Sequence, residues 1–254
     1  MNLHFNKTLG EKYKSKSQKA RVMSENWICE NMFCPCCGNP HIKDLKNNQP
    51  VADMQCYNCG EIFELKSKEG KIGKKINDGA YSTMIERITS ITNPDLFIMR
   101  YSSNYVVVDL VLVPKFFFVP QIIEKRNPLA LTARRAGWTG CNILYSDIPE
   151  QGKISIIENS VVKSSNEVIE NYSKIVKLKT ENLDSRGWLI DVLNCVNDIK
   201  SSVFSLRDMY AYADTLQRQH INNHNIEAKI RQQLQFLRDK GFIEFLGSGQ
   251  YRKL

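Results

Sequence analysis

Four cysteines are spaced as two pairs that could hold one metal ion. Two residues separate Cys34 from Cys37, an 18-residue spacer follows, and Cys56 and Cys59 repeat the first spacing. Each pair can donate two thiolates from one tight turn, and four thiolates fill the tetrahedral shell of a structural Zn²⁺ ion. The sequence therefore predicts a zinc module over about residues 34–59.

Cys36 lies inside the first pair and complicates its register. It offers Cys34/Cys36 and Cys36/Cys37 as competing pairs, although these spacings are less suited to closing a ring on one ion. Gly38 and Gly60 directly follow the two C-x2-C pairs and allow the backbone to turn around a metal. The alternative without a metal is a set of buried free cysteines.

Three residues on either side of the second cysteine pair are of the types that catalyse phosphodiester hydrolysis. Asp53 is followed, after ten residues, by Glu64 and Lys66, and strand alternation places Glu64 and Lys66 on one face. Mg²⁺ prefers one or two carboxylates together with water and phosphate oxygens. A neighbouring ammonium can orient the attacking water. The residues therefore predict a catalytic magnesium site, with Asp53 and Glu64 as its carboxylates.

The acid-x-Lys triplet alone carries little information. The same form occurs at Asp44/Lys46, Glu69/Lys71, Asp198/Lys200 and Glu227/Lys229. What distinguishes Glu64 is a strand context in which Phe63 and Leu65 face the other side. A salt bridge between Glu64 and Lys66 on a wet sheet face, with Asp53 in a turn, is the structural alternative. A zinc ion would pin the two segments together and fix the placement of the two acids.

Short strands and helices must position these residues. Period-2 patterns predict strands, and 3.6-residue patterns predict helices. The predicted strands are Val51–Cys56, Glu61–Lys66, Leu96–Tyr101, Tyr105–Val113 and Lys153–Ile157. The predicted helices are Asn77–Ser90 and Asn166–Lys177, after short amphipathic helices in the first thirty residues. Pro120–Gly140 shows no sustained period and predicts a long loop, a kind of segment that is often functional.

The C-terminal segment has the pattern of a winged helix-turn-helix. Three apolar helical stripes precede a predicted hairpin around Gly247-Ser248-Gly249. The third helix would enter the major groove of DNA. Its predicted outward residues, all but one polar, are Asn225, Ala228, Arg231, Gln232 and Gln235, with Lys229 at the margin. The alternatives are a solvated helix face or a winged helix that contacts protein.

Composition favours a folded, basic protein. Lys and Arg number 35 against 27 Asp and Glu, which gives a net charge of +8 and favours polyanionic partners. The most apolar stretch, Val106–Pro120, is interrupted by charged residues and Pro114, so neither a membrane span nor a secretory signal is expected. Clustered thiols then indicate a reducing, cytoplasmic location.

These features together resemble the DpnI-type methyl-directed restriction endonucleases. The resemblance rests on Pro50–Asp53 with Glu64–Lys66, the zinc-spaced cysteines, the loop Thr132–Asn142, and the segments Ser185–Trp188 and Ile230–Lys240. It implies a mixed α+β fold in which a PD-(D/E)xK nuclease domain, residues 1–181, contains the zinc module, and a winged helix spans 182–254. The chain departs from the nuclease motif at Pro50, which stands three residues before the aspartate instead of next to it.

The resemblance also implies an activity. Members are type II enzymes that cut double-stranded DNA at GATC when its adenine carries an N6-methyl group, and they require Mg²⁺. Asp53 and Glu64 would be the metal ligands and Lys66 the water-positioning residue. Both domains would read the methylated site, and we expect a monomer in solution.

Methyl reading needs more than contact with one methyl group. Its burial is worth about 0.8 kcal/mol, roughly fourfold in affinity. Strong discrimination therefore needs a fitted pocket with a penalty for the unmodified base, or two readings. Trp138 is the best flat wall for such a pocket, or else a core residue, and Arg134 and Arg135 suit phosphate or guanine contacts. Rival functions are a non-catalytic regulator that reads methylated DNA and a nuclease for branched or damaged DNA.

Overall fold

The computed structural model describes residues 1–45, 52–90, 92–180 and 182–254, and the chain forms two compact units. The first unit comprises Met1–Ser146 and Gln151–Val176, and the second comprises Asp147–Glu150 and Lys177–Leu254. Helices and sheets are mixed in an α+β fold, as predicted. Pro50 and Val51, which belong to the predicted first strand and to the nuclease motif, lie outside the described residues.

A mixed sheet forms the centre of the first unit. Its strand order is β1-β2-β3-β5-β6-β9-β10, where β3 and β5 are parallel and the other neighbours are antiparallel. The strands of this unit are β1 (Lys43–Asp44), β2 (Met54–Gln55), β3 (Ile62–Glu69), β4 (Lys75–Ala80), β5 (Asp95–Tyr101), β6 (Val107–Val113), β7 (Ile123–Lys125), β8 (Gly140–Leu144), β9 (Ile154–Glu158) and β10 (Val161–Val162). Phe63 and Phe97 stack between neighbouring strands in the core.

Among the described residues, the first unit has three α-helices. They are α1 (Lys16–Asn31), α2 (Tyr81–Thr89) and α3 (Ser165–Val176). Helix α1 buries Met23 and, one turn later, Trp27 and Ile28, so one face of the helix packs into the core. It lies beside β3, and this contact brings its polar side chains to the edge of the predicted active site.

A second, three-stranded sheet has the order β4-β8-β7 and corrects two predictions. The helix predicted over Asn77–Ser90 begins only at Tyr81, because residues 75–80 pair with β8. The predicted loop Pro120–Gly140 begins with a 3-10 turn and then β7, since Ile123 pairs with Ile143. The irregular segment is therefore shorter and covers residues 126–139.

The second unit contains the predicted winged helix-turn-helix. Its helices are α4 (Leu183–Asp198), α5 (Leu206–Tyr210), α6 (Ala213–Gln219) and α7 (Ile226–Asp239), and its sheet has the order β11-β13-β12, with β11 (Val203–Ser205), β12 (Ile243–Gly247) and β13 (Gln250–Lys253). The predicted second helix is divided into α5 and α6, and β11 was not predicted. Such a short strand is defined by its pairing with β13 and not by its own pattern. Trp188 of α4 is buried in the core of this unit.

Candidate active site

The four predicted thiol ligands converge on one point. One sulfur from each of Cys34, Cys37, Cys56 and Cys59 lies within 4.8 Å of the others. The Sγ atoms of Cys34 and Cys59 are 3.7 Å apart, as are those of Cys37 and Cys56. Tetrahedral Zn²⁺ with Zn–S bonds of about 2.3 Å would separate its sulfurs by about 3.8 Å. The cluster is therefore consistent with structural zinc.

The two cysteine turns have the same backbone geometry. In each, the glycine that follows the pair donates its N–H to the carbonyl of the first cysteine, at 2.8 Å, and adopts a positive φ near 77°. A residue with a side chain would strain this conformation. Cys36 lies outside the four-sulfur group, and its thiol contacts the buried carboxylate of Asp95 at 3.9 Å. Cys36 is therefore not one of the four clustered sulfurs, although its thiol also interacts with that of Cys34.

The second cysteine turn connects the strands that carry the two predicted acids. Strands β2 and β3 pair with Met54 opposite Phe63, and Asp53 directly precedes this pair. The N–H of Asp53 donates to the carbonyl of Phe63, and its Oδ2 accepts the N–H of Leu65 at 2.9 Å. These two bonds fix Asp53 beside β3 although it lies just before β2.

Glu64 and Lys66 are in direct contact on the same face of β3. The Nζ of Lys66 lies 2.7 Å from Oε1 of Glu64 and 2.7 Å from Oδ1 of Asp78. A guanidinium nitrogen of Arg87 lies 2.6 Å from Oε2 of Glu64. Glu64 and Lys66 expose only 16% and 25% of their side chains, so these ion pairs are poorly screened by water.

These contacts push the pKa values of the neighbouring acids in opposite directions. Burial raises the pKa of Asp53; the Leu65 N–H opposes this rise, and the negative Glu64 adds to it. Burial acts in the same direction on Glu64, but Lys66 and Arg87 outweigh it and lower the pKa of Glu64. Burial lowers the pKa of Lys66, yet Glu64 and Asp78 together raise it above its ordinary value. Glu64 is therefore a carboxylate and Lys66 an ammonium ion at neutral pH.

The three predicted residues line one cleft of about 780 Å³. Helix α1 contributes Arg21 to the same cleft. Its guanidinium lies 3.7 Å from Oδ1 of Asp53 and donates to Glu25 at 2.6 Å. A cleft of this size with converging acids and cations can receive a phosphate group and a hydrated cation.

Sequence reasoning missed three side chains of this arrangement. Arg21, Asp78 and Arg87 reach the acidic residues from α1, β4 and α2. None belongs to the acid-x-Lys motif, and Asp78 lies in a segment that was predicted as helix. The sequence Asn77-Asp78-Gly79, which carries a turn signal ahead of the apolar helical stripe, was the available clue.

The predicted DNA-reading loop places Trp138 between an arginine and a glycine. The guanidinium of Arg135 lies 4.5 Å from the centre of the Trp138 ring, and a side chain at Gly140 would come within 2.8 Å of that ring. Arg134 and Arg135 are exposed, and Trp138 is half-buried. Trp138 is therefore a partly accessible flat surface.

The predicted recognition helix presents its polar residues outward. Ile226, Ile230, Leu234 and Leu237 are buried, which fixes the orientation of α7. Asn225, Ala228, Arg231, Gln232 and Gln235 are exposed, and Lys229 is half-buried. Arg231 donates to the hydroxyl of Tyr210 at 2.5 Å. The second unit thus has a polar helix face of the kind that contacts DNA.

Two family models match this chain. One, described as DpnI: Dam-replacing family, matches residues 1–181, and another, described as Dam-replacing HTH domain, matches residues 184–253. The first contains the thiol cluster and the acidic cleft, and the second contains the helices of the winged unit. In the part of the chain that the structure describes, no helix has the length and apolar character needed to cross a membrane.

Proposed function

Because this chain belongs to the DpnI Dam-replacing family of restriction endonucleases, we propose that it hydrolyses double-stranded DNA at GATC sites whose adenine carries an N6-methyl group. The observation that supports a hydrolytic role is the convergence of Asp53, Glu64 and Lys66 on one cleft. A regulator that only bound DNA would have no need of partly buried acids held beside an ammonium, since removing charges from water costs free energy even when they are paired.

The donor set of this cleft fits Mg²⁺. Asp53 and Glu64 provide the hard carboxylate oxygens that this ion prefers, and Oδ1 of Asp53 has the exposed Arg21 as its neighbour at 3.7 Å. The raised pKa of Asp53 has burial as its main cause, and a bound cation would favour its ionised form. When bound, Mg²⁺ supplies Lewis-acid stabilisation of the charge that develops on the phosphodiester.

The side chains of the cleft have separate tasks in this proposal. Asp53 and Glu64 hold the cation, and the Lys66 ammonium orients the attacking water and donates to phosphate oxygens. Arg21, which is 66% exposed at the cleft, can exchange its contact with Asp53 for a DNA phosphate. Cys34, Cys37, Cys56 and Cys59 would hold Zn²⁺ in a structural role, because four thiolates would leave no coordination position open for a substrate.

The proposal is tested by incubating the purified chain with plasmids from adenine-methylating and non-methylating hosts. We expect double-strand breaks at GATC only in the methylated plasmid and only with Mg²⁺. Binding of methylated DNA without cleavage, under every divalent-ion condition, would instead identify a regulator. Cleavage of branched or damaged duplexes irrespective of methylation would reject the assigned substrate. Light scattering of the same preparation would measure whether the chain is the expected monomer.

Replacing Trp138 with Ala is expected to reduce the preference for methylated DNA. The half-buried ring offers a flat apolar wall, and losing the burial of one methyl group costs about 0.8 kcal/mol, or roughly fourfold. The measurement is the ratio of cleavage rates on methylated and unmethylated duplexes of one sequence. Trp138→Phe keeps a flat ring and should preserve most of the ratio. An unchanged ratio in Trp138→Ala would assign methyl reading to other residues.

Replacing Arg231 with Ala is expected to weaken DNA binding to methylated and unmethylated duplexes alike. Arg231 is exposed on the outward face of α7, and in this proposal its guanidinium contacts a DNA phosphate. Loss of one phosphate contact lowers the slope of log affinity against log salt by about one. Titrations at several salt concentrations measure this slope. Glu227→Ala, on the adjacent turn, removes a negative charge and should not weaken binding; if it weakens binding as much, the effect is structural.

A further inference from the structure

A second carboxylate reaches Lys66 from outside the catalytic motif. Asp78 lies on β4, in the three-stranded sheet, whereas Lys66 lies on β3 of the central sheet. The Oδ1 atom of Asp78 is 2.7 Å from the Lys66 ammonium, the same distance that separates Lys66 from Glu64. Only 6% of the Asp78 side chain is exposed, so this ion pair is formed in a largely dehydrated place.

A β-bulge directs Asp78 toward this lysine. Asp78 pairs with Cys141, and Ala80 pairs with Gly140, so Gly79 is an extra residue in β4. Bulges of this kind redirect a side chain and occur often beside active sites. The N–H of Gly79 donates to Oδ1 of Asp78 at 2.6 Å and holds the carboxylate in this orientation.

Lys66 needs a second anchor if Glu64 holds a cation. Glu64 already divides its two oxygens between Lys66 and Arg87. As a metal ligand it would have still less negative charge to offer to Lys66. A lysine side chain has a flexible four-carbon stem and is ordered only when its ammonium is held. Asp78 provides an anchor that metal binding leaves in place.

We propose that Asp78 is a positioning residue, which holds the Lys66 ammonium at the reacting phosphate during cleavage. This inference rests on the proposed nuclease function. It makes Asp78 the contribution of the second sheet to the active site, through its contact with the Lys66 ammonium.

Asp78→Asn is the first test, because it keeps the shape of the side chain and removes its charge. We expect single-turnover cleavage of methylated duplex to slow about 10- to 100-fold, the usual cost of losing a supporting contact behind a catalytic group. The dissociation constant for the same duplex, measured with Ca²⁺ in place of Mg²⁺, should change less than about twofold. Asp109→Asn is the matched control: it breaks an ion pair with Arg100 in the central sheet, away from the cleft, and should leave the rate unchanged.

A double-mutant cycle with Lys66→Ala distinguishes positioning from general stability. If Asp78 acts through Lys66, adding Asp78→Asn to Lys66→Ala should slow cleavage less than about twofold further. The same cycle on the thermal unfolding midpoint of the Mg²⁺-free protein should also be less than additive. An undiminished further slowing, or a full rate in Asp78→Asn alone, would overturn the inference.

Asp78→Glu is the second test variant, to be used if Asp78→Asn does not fold. It retains the charge and should keep cleavage within about tenfold of the unmodified chain. If both variants lose the cooperative unfolding transition, Asp78 is a folding residue and the inference fails. If the unmodified chain does not cut methylated duplex, the proposed function itself fails. If the chain cuts equally well with and without the Asp78 charge, only the inference about Asp78 fails.

Discussion

Asp53→Ala is expected to abolish DNA cleavage, with a loss of at least about a thousandfold in single-turnover rate. Asp53 provides the carboxylate that directly precedes β2 in the cleft, and it accepts the Leu65 N–H at 2.9 Å. Without it, one of two proposed Mg²⁺ ligands is missing, and the cation that stabilises the phosphodiester charge is held by Glu64 alone. Rapid-quench or gel assays on a methylated duplex, followed for hours, measure the loss.

The binding of methylated DNA should survive this substitution. Asp53 carries negative charge, so its removal takes away a repulsion toward phosphate and should not weaken affinity measured with Ca²⁺. Asp44→Ala is a suitable control, because Asp44 is an exposed acid on the adjacent strand β1, opposite Met54. Asp44→Ala should cut at the normal rate. Retained cutting in Asp53→Ala would remove Asp53 from the mechanism, and lost binding would indicate a misfolded variant.

The parts of the site that the sequence predicted are those defined by local spacing. The C-x2-C pairs fix two turns by themselves, and alternation along Glu61–Lys66 fixes which side chains share a face of β3. The buried stripe of α7 likewise fixes its outward residues. The resemblance to DpnI-type enzymes, drawn from these motifs, is confirmed by the two family matches. The catalytic and DNA-binding roles of the individual residues stay predictions.

The missed parts depend on contacts between distant segments. Asp78 meets Lys66 only because β4 pairs with β8, more than 60 residues further along the chain, and a bulge turns its side chain. Arg87 meets Glu64 from α2, whose start was misplaced because Lys75–Ala80 has no apolar period of its own. Strand propensity reflects neighbouring packing more than intrinsic preference, so such edge strands escape sequence patterns.

The cysteine turn between β2 and β3 links the thiol cluster to the acidic cleft. Asp53 lies three residues before Cys56, and Glu64 lies five residues after Cys59, so the two acids flank two of the four thiols on one hairpin. The N–H of Cys56 donates to the carbonyl of Glu61, which closes the turn at 2.9 Å. The geometry of the acids is therefore expected to depend on the four thiols.

Cys56→Ser is accordingly expected to abolish both zinc binding and cleavage. Structural zinc contributes about 10–16 kcal/mol to the folding of small zinc modules, which is as large as the whole stability of a typical domain. Cys56 is fully buried, so a serine there would leave a poor metal ligand and a buried hydroxyl. Zinc content by elemental analysis should fall from one ion per chain to near zero, and thermal unfolding should begin at a lower temperature or lose its cooperativity.

Cys36→Ser is the matched control, since Cys36 lies between two of the thiol ligands in sequence and contacts Cys34, but is not one of the four clustered sulfurs. It should retain one zinc ion per chain and cut methylated DNA. This pair of variants separates zinc from Mg²⁺ more cleanly than a chelator, because a chelator removes both ions. If zinc were lost in Cys36→Ser but retained in Cys37→Ser, the ligand of the first pair would be Cys36 and not Cys37. Full cleavage by zinc-free Cys56→Ser would show that the acids of β2 and β3 keep their positions without the ion.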